Sequence, residues 1–484
     1  AFYAANKIGA VGSMIHPLSP PNEVKFYLNL SESKFALTVD MFYENFEEIL
    51  NETGVEKIII CKIQDYLPAI KKALFWLVKG RKVKLPSDPK IVYWNYIMTQ
   101  DYPEVPETQM KPEDMAVILY SGGTTGLPKG IMLSNMNFIC EGMQVVKWGD
   151  VNENDKMLAI LPIFHGFGLG VCINAGLMTG GSAVLVPTFT PESVVKMIKK
   201  KKPTFMIGVP TLFEAMNKNP NFQENDLSFL RGAFCGADTL PRPVKDRFEE
   251  IAQKNGNPDL ILREGYGLTE AVTAIAAMPM STYREGSIGI PFPDMLMKVV
   301  KMDTTEEAPL GEEGELCVSG PAVMMGYLNN PEETANTLKK HEDGKVWLHT
   351  GDIATMDEDG FFYFKLRKKR MIKSSGFNVY PVQVESVLNE HPEVDSSCVI
   401  GVPDKDQVER VKAYVVLNDP SKESQHMEKQ LIGYCRENLL KWKCPREIQF
   451  AKELPTTLVG KIAYKVLEDQ EKAKLRAEGK YAGD

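Results

Sequence analysis

The 484-residue chain predicts an α/β protein: a large multi-layer α/β domain with a small β-barrel subdomain, followed by a C-terminal α+β domain. Three observations predict this. Short apolar strands alternate with amphipathic helices from the start to about residue 285, the pattern of a βα sheet. From there to about 366 the helical period disappears, and short strands broken by glycines replace it. After the basic run Arg367-Lys-Lys-Arg370, helices and strands alternate again in a compact unit. The expected organisation is a large domain over 1–366, with 285–366 as its barrel, a boundary at 367–370 and a small domain over 371–484.

The elements follow in order. Residues 1–8 and 21–29 read as helices, 34–39 and 55–62 as strands. The chain opens at Ala1 inside a helix-like segment, so an upstream stretch is expected. Residues 116–120 form a buried strand running into a Gly/Thr loop, and Ser134 is placed to cap a helix reaching about 147. Residues 156–162, 182–186, 204–209 and 229–235 continue a mostly parallel strand series, with a glycine-rich apolar helix between the first two. The barrel strands are 297–302, 314–319, 345–349 and 361–365. A helix at 382–389, strands at 397–402 and 411–417, a helix at 427–440 and a last helix after Lys461 complete the chain.

Composition excludes several functions. Hydrophobic residues at 44% and charged ones at 25% describe a globular chain and exclude disorder as its main theme. A net charge of −8 argues against nucleic-acid binding through bulk charge. The eight cysteines show no CxxC pair or zinc spacing, and the six histidines are scattered, so buried free thiols and no protein-ligated metal cluster are expected. With neither a signal peptide nor 18 uninterrupted apolar residues, a cytoplasmic location is expected. Residues 69–84, AIKKALFWLVKGRKVK, carry six basic residues and no acidic one around an apolar cluster. They read either as an amphipathic element on an anionic inner-membrane surface or as a surface helix docked on its own domain with snorkelling lysines.

The strongest local signal is YSGGTTGLPKG at 120–130. Gly122, Gly123 and Gly126 let the backbone approach a bulky anion, Ser121, Thr124 and Thr125 add hydroxyls, and Lys129 adds a point charge. This is a phosphate cradle, but not a Walker A loop, because no Gly-Lys-Ser/Thr triplet opens the next helix.

At this loop the sequence resembles the adenylate-forming superfamily of acyl-CoA synthetases, nonribosomal-peptide adenylation domains and beetle luciferases. Ordered motifs carry the resemblance: REGYGLTE at 263–270, LHTGD at 348–352, RKKRMIKSSG at 367–376 running into Pro381 and Glu385, and LPTTLVGK at 454–461. The chemistry implied is carboxylate activation, in which the acid attacks the α-phosphate of ATP and pyrophosphate leaves. The cofactors implied are ATP, Mg²⁺ and coenzyme A. By resemblance, residues 121–130 wrap the β- and γ-phosphates, Tyr266 and the Gly236-Ala237 strip flank adenine, and Gly267 belongs to the same nucleotide set. Thr269 meets the α-phosphate, Glu270 with Thr124 holds Mg²⁺, and Asp352 with Arg367 binds the ribose. Lys461 is the essential cation of adenylation. The C-terminal domain is then a mobile cap turning about Lys369, with Gly376 in the segment that lines the pantetheine tunnel.

His165 stands where acyl-activating members carry histidine and amino-acid-activating members an aspartate, which points to a fatty or other hydrophobic acid. Gly170, Ala175 and Gly176 leave room for a ligand or pack tightly; both readings remain open. Four positions depart from the family pattern: Leu366 for glycine, Arg370 for aspartate, Val459 for a hydroxyl residue and Tyr464 for arginine. They bear on thioester formation and domain rotation, and remove no group assigned to adenylation. The implied function is a fatty acid–CoA ligase. Alternatives are an enzyme loading an acyl-carrier protein, a luciferase-like oxygenation, a non-catalytic acyl- or nucleotide-binding relative, and a membrane-surface scaffold.

Overall fold

The computed structural model describes residues 1–478 apart from 84, 104–107, 122–127, 375–376, 405–407 and 457–460, and the backbone alone at 369, 377, 378 and 408. The chain forms two compact units. One is Ala1–Ile139 with Phe164–Gly166 and Met324–Ala335; the other is Cys140–Ile163, Phe167–Val323 and Asn336–Asp484.

In the first unit, Met115–Ser121 is the central strand. It pairs in parallel with Gly12–Ser13 and antiparallel with Lys129–Ser134, which continues to Gly326–Tyr327. The strand at Lys129–Ser134 was not visible in the sequence, where Ser134 read only as a cap. It is both: Ser134 ends the strand, and it exchanges hydrogen bonds with Asn137 through N–H to Oδ1 at 2.8 Å and Oγ from N–H at 3.1 Å. A separate parallel sheet joins Phe35–Val39, Lys57–Cys61 and Ile91–Tyr93.

The second unit is built on a seven-stranded sheet. Ser182–Leu185, Lys156–Ala159, Phe205–Gly208, Gly232–Cys235 and Leu262–Gly267 run parallel, and Ala274–Ala277 and Ile290–Pro291 extend it antiparallel. Phe205–Gly208 is buried at all four positions, as befits a parallel strand covered on both faces. The expected glycine-rich helix is a π-helix at Phe167–Asn174 followed by Ala175–Met178.

The barrel expected at 285–366 is a curled half-barrel. Leu296–Val300, Gly314–Ser319, Val346–Met356 and Leu338–Lys340 form an antiparallel sheet, and Phe362–Arg367 pairs with the far end of Val346–Met356. No pairing among the described residues joins its first strand to its last, so the sheet stays open.

The C-terminal α+β region holds Ile372–Ser374, Phe377–Val379, Val394–Asp404, Val408–Leu417 and Glu447–Phe450 in one sheet. Alternation along Val394–Asp404 serves two cores. Val399 faces the helices Pro381–Asn389 and Gln425–Asn438, while Cys398, Ile400 and Val402 face the last helix, Tyr464–Ala477. Lys412, wholly buried, fastens that helix: its ammonium lies 2.8 Å from both Glu471 and Glu447, and Tyr414 donates to Glu471 at 2.8 Å.

Candidate active site

The parallel strands of the second unit end at the residues singled out by the sequence, as expected where ligands meet the carboxyl ends of such strands. Gly232–Cys235 leads into Gly236 and Ala237, and Ala237 takes a φ of +73°. A Cβ on Gly236 would stand 3.2 Å from the Gly265 carbonyl, so the two strand ends run close together. Leu262–Gly267 ends at Tyr266 and Gly267, and a Cβ on Gly267 would fall 1.5 Å from the Thr273 carbonyl. Thr269–Ala271 forms a 3₁₀ turn, closed at Val272 with φ +63° and ψ −64° and by Thr273 N–H donating to Ala271 at 2.7 Å. A β-branched residue rarely adopts that conformation, so the turn presenting Thr269 and Glu270 is held under strain by its surroundings.

Asp352 comes from the half-barrel, where register sets it directly opposite Arg367. It is 1% exposed. The Tyr266 hydroxyl donates to Oδ2 at 2.6 Å. Arg367 Nε stands 3.1 Å from Oδ1 but misaligned, leaving Oδ1 with no hydrogen-bond partner among the described residues. A buried acceptor of that kind is costly unless a donor reaches it, and paired sugar hydroxyls fit the need. Burial raises the Asp352 pKa, opposed by Arg367 and by the Tyr266 hydrogen bond. The turn below is braced by residues the sequence did not single out: Glu315 accepts from Gly351 N–H at 3.1 Å and contacts His349 Nδ1 at 3.0 Å, and Thr350 Oγ1 accepts from Asp352 N–H at 3.0 Å.

Lys461 completes the cluster. Burial lowers its pKa, and Asp238, Asp352 and Glu270 act on it as attractive charges, with Arg367 repelling. Asp238, just after the Gly236-Ala237 strip, was also missed in the sequence. The second unit therefore brings Glu270, Asp352, Arg367 and Lys461 into one electrostatic neighbourhood, with Tyr266 hydrogen-bonded at its base.

A model of the AMP-binding enzyme family matches residues 1–328, and one of the AMP-binding enzyme C-terminal domain matches 383–461. The chain belongs to the AMP-binding enzyme family. This AMP-binding enzyme is 36% identical over 478 residues to the long-chain-fatty-acid–CoA ligase of Bacillus subtilis, covering 97% of this chain and 83% of the relative. It is 31% identical to a probable 4-coumarate–CoA ligase 3 of Dictyostelium discoideum, covering 98% and 84%. Among solved structures it resembles the anthranilate CoA ligase AuaEII in complex with anthranoyl-AMP, at 27% identity and TM-score 0.84 over 99% of this chain and 85% of that one. It also resembles ATP-bound MatB from Rhodopseudomonas palustris, at 25% and 0.82 over 97% and 85%. It is an AMP-forming acid–thiol ligase: ATP activates a carboxylate as its adenylate, and a thiol then takes the acyl group.

In the first unit, register sets Ser121 opposite Lys129, so the two ends of the Gly/Thr motif lie side by side. Gly122, Gly123, Thr124, Thr125 and Gly126 lie outside the described residues, as does Gly376, and Lys369 is described by its backbone alone. Lys129 pairs with Glu333 and lies 4.8 Å over the Tyr327 ring, so a phosphate role requires it to exchange that partner. His165 is partly buried, in the bend before the π-helix.

The small residues after His165 in this AMP-binding enzyme pack tightly. A Cβ on Gly168 would sit 2.2 Å from the Pro162 carbonyl, one on Gly170 2.8 Å from a Glu141 oxygen, and one on Gly176 2.9 Å from Met157. The histidines are less scattered than they read. Cross-strand pairing places His349 against Cys317, and His341 Nε2 meets His349 Nε2 at 2.9 Å. The rings bond to each other and His349 to Glu315, while the buried His341 Nδ1 has no hydrogen-bond partner among the described residues.

Proposed function

We propose that the chain is an ATP-dependent fatty acid–CoA ligase. A hydrophobic acid's carboxylate oxygen bonds to the α-phosphorus of ATP as the bond to pyrophosphate breaks. The thiol of coenzyme A then attacks the acyl carbon, loses its proton, and AMP leaves. The observation that carries this reading is the convergence of Lys461 and Glu270 on Asp352, whose Oδ1 awaits a donor. Such fixed charges stabilise a phosphoryl-transfer transition state without an elaborate acid–base pair.

In this reading Asp352 and Arg367 hold the ribose, Tyr266 with Gly236, Ala237 and Gly267 borders the adenine, and Thr269 meets the α-phosphate. Ser121, residues 122–126 and Lys129 wrap the outer phosphates. Glu270 with Thr124 supplies the oxygen ligands a hard cation takes, and Mg²⁺ there would neutralise charge on the departing pyrophosphate. The large domain is 1–366, the hinge 367–370 about Lys369, and the cap 371–484. The cap presents Lys461 for adenylation and turns to pass the pantetheine arm along Gly376. For the acyl group, His165 in place of an aspartate disfavours an α-amino acid, whose ammonium would be left unpaired, and the long-chain relative at 36% identity supports a fatty chain.

Acid-dependent pyrophosphate release across a chain-length series, with and without coenzyme A, tests this. Release that peaks with long-chain acids, and thioester only when coenzyme A is present, is expected. Release without thioester, rescued by a phosphopantetheinylated carrier protein, would move the acceptor to that partner.

We also infer peripheral contact with the anionic inner face of the cytoplasmic membrane through 69–84, of which residue 84 lies outside the described residues. No described helix is long and apolar enough to cross a membrane. The helix Ala69–Val78 buries none of its residues, with Ile70 86%, Leu74 60% and Trp76 51% exposed, which disfavours docking on its own domain. Lys71, Lys72, Lys79, Arg81 and Lys82 lie on or beside it, the combination that binds anionic lipid. Flotation with phosphatidylglycerol vesicles should fall when Lys71, Lys72 and Lys79 become alanine; equal flotation refutes the contact.

A further inference from the structure

Arg370 and Tyr464 each depart from the family pattern, and the fold brings them together. The Arg370 guanidinium stacks over the Tyr464 ring, its carbon 4.8 Å from the centroid. One nitrogen pairs with Glu385, and the same nitrogen lies 3.8 Å from Cys398 Sγ. Glu385 is itself fixed by the Val399 N–H at 2.7 Å, so the arginine is anchored in the C-terminal sheet.

Tyr464 stands three residues after Lys461 and begins the last helix. Between them the chain has little freedom. Thr456 and Ile462 form an antiparallel bridge, Ala463 N–H donates to Pro455 at 2.7 Å, and Leu454, Ile462 and Tyr464 pack against the core beneath the helix. Lys461 thus leaves a pinned stem, and the far end of that stem rests on Arg370. Arg370 ends the segment that begins at Arg367, whose guanidinium is fixed beside Asp352. Two short links, Asp352 to Arg367 and Arg370 to Tyr464, therefore connect the nucleotide-site carboxylate to the Lys461 stem through one turn of chain.

We propose that Arg370, acting through the Tyr464 ring, is a positioning residue that holds Lys461 over the nucleotide site and favours the adenylating arrangement over the thioester-forming one. The proposal rests on the ligase reading above, in which Lys461 serves only the first half-reaction. An arginine stacked on an aromatic face and paired with a buried carboxylate is a directional clamp that a lysine would not reproduce. Replacing the tyrosine removes the clamp and leaves the Arg370–Glu385 pair intact, so it is the cleaner variant; Arg370→Ala strands Glu385 in a buried site.

The test measures two half-reactions and one stability cycle on the full chain. Tyr464→Leu should slow acid-dependent pyrophosphate release about five- to tenfold, the scale of a desolvated cation–π contact. Thioester formation from supplied acyl-adenylate and coenzyme A should stay within about twofold of wild type. Tyr464→Phe, which keeps the ring, should restore the wild-type ratio. Both half-reactions falling together, or neither changing, would overturn the proposal. A thermal double-mutant cycle of Arg370→Lys with Tyr464→Leu needs no substrate, so it reports even if the ligase reading fails. Coupling between the two is expected, and strict additivity would show that the stack does no positioning.

Discussion

The Tyr266 hydroxyl donates to Asp352 Oδ2 at 2.6 Å, while the carboxylate's other oxygen, beside Arg367 at 3.1 Å, makes no hydrogen bond among the described residues. In the proposed reading the pair divides the work: one oxygen fixes the side chain, and the other meets the ribose. Tyr266→Phe loosens that orientation without removing the acceptor. Its KM for ATP should rise about tenfold, the cost of a hydrogen bond to a charged group, with kcat less affected. Asp352→Asn should raise KM further, because an amide cannot accept from two hydroxyls and also replace the charge facing Arg367. Unchanged ATP kinetics in both variants would remove Asp352 from the nucleotide site.

Gly267 has no room for a side chain, since its Cβ would lie 1.5 Å from the Thr273 carbonyl. Gly267→Ala must displace the strained turn that carries Thr269 and Glu270. Acid-dependent pyrophosphate release should fall at least about a hundredfold, as expected when transition-state contacts move by an ångström. Circular dichroism and a melting curve on the same sample separate this from global unfolding. Near-normal turnover would show that the turn tolerates being moved.

Glu141 is wholly buried against Gly170, and burial pushes its pKa up to about 8, partly offset by the Ala274 N–H. In the unfolded chain a glutamate ionises near about 4.3. Between these values the folded state holds the proton more tightly, so stability falls as pH rises and the full penalty is reached above about pH 8. Glu141→Gln keeps the shape and removes the titration. Its stability advantage should grow by about 4 kcal/mol between pH 5 and pH 8.5. Parallel pH–stability curves would contradict a buried, proton-holding Glu141.

Burial lowers the Lys461 pKa in the free enzyme. The profile of kcat/KM for ATP should therefore fall on its alkaline side below the ordinary lysine value of about 10.4. Lys461→Arg, charged throughout that range, should be slower but lose the limb. A limb that persists in the arginine variant belongs to another group.

Much of the candidate site was legible because its residues fall in short contiguous motifs. REGYGLTE carries Tyr266 at a strand end and Glu270 in the turn that follows, and LHTGD carries Asp352 within a strand of the half-barrel. What escaped depends on tertiary register. Lys129 meets Glu333 because Lys129–Ser134 is a strand that pairs with Gly326–Tyr327, and nothing local announced it. Val272 adopts a turn that its β-branched side chain opposes, so propensity pointed away from it. The tight contacts at Gly170 and Gly176 show packing where the sequence left ligand space and packing both open. Arg370 and Tyr464 read as two separate departures because only the folded C-terminal region shows them stacked.

The most direct measurement compares ATP affinity and pyrophosphate exchange in wild type and Lys461→Ala at matched pH. If the C-terminal region delivers this ammonium to a nucleotide held by Asp352, equilibrium ATP binding should change by less than about threefold while exchange drops at least about a hundredfold. Exchange retained near the wild-type rate would contradict that account.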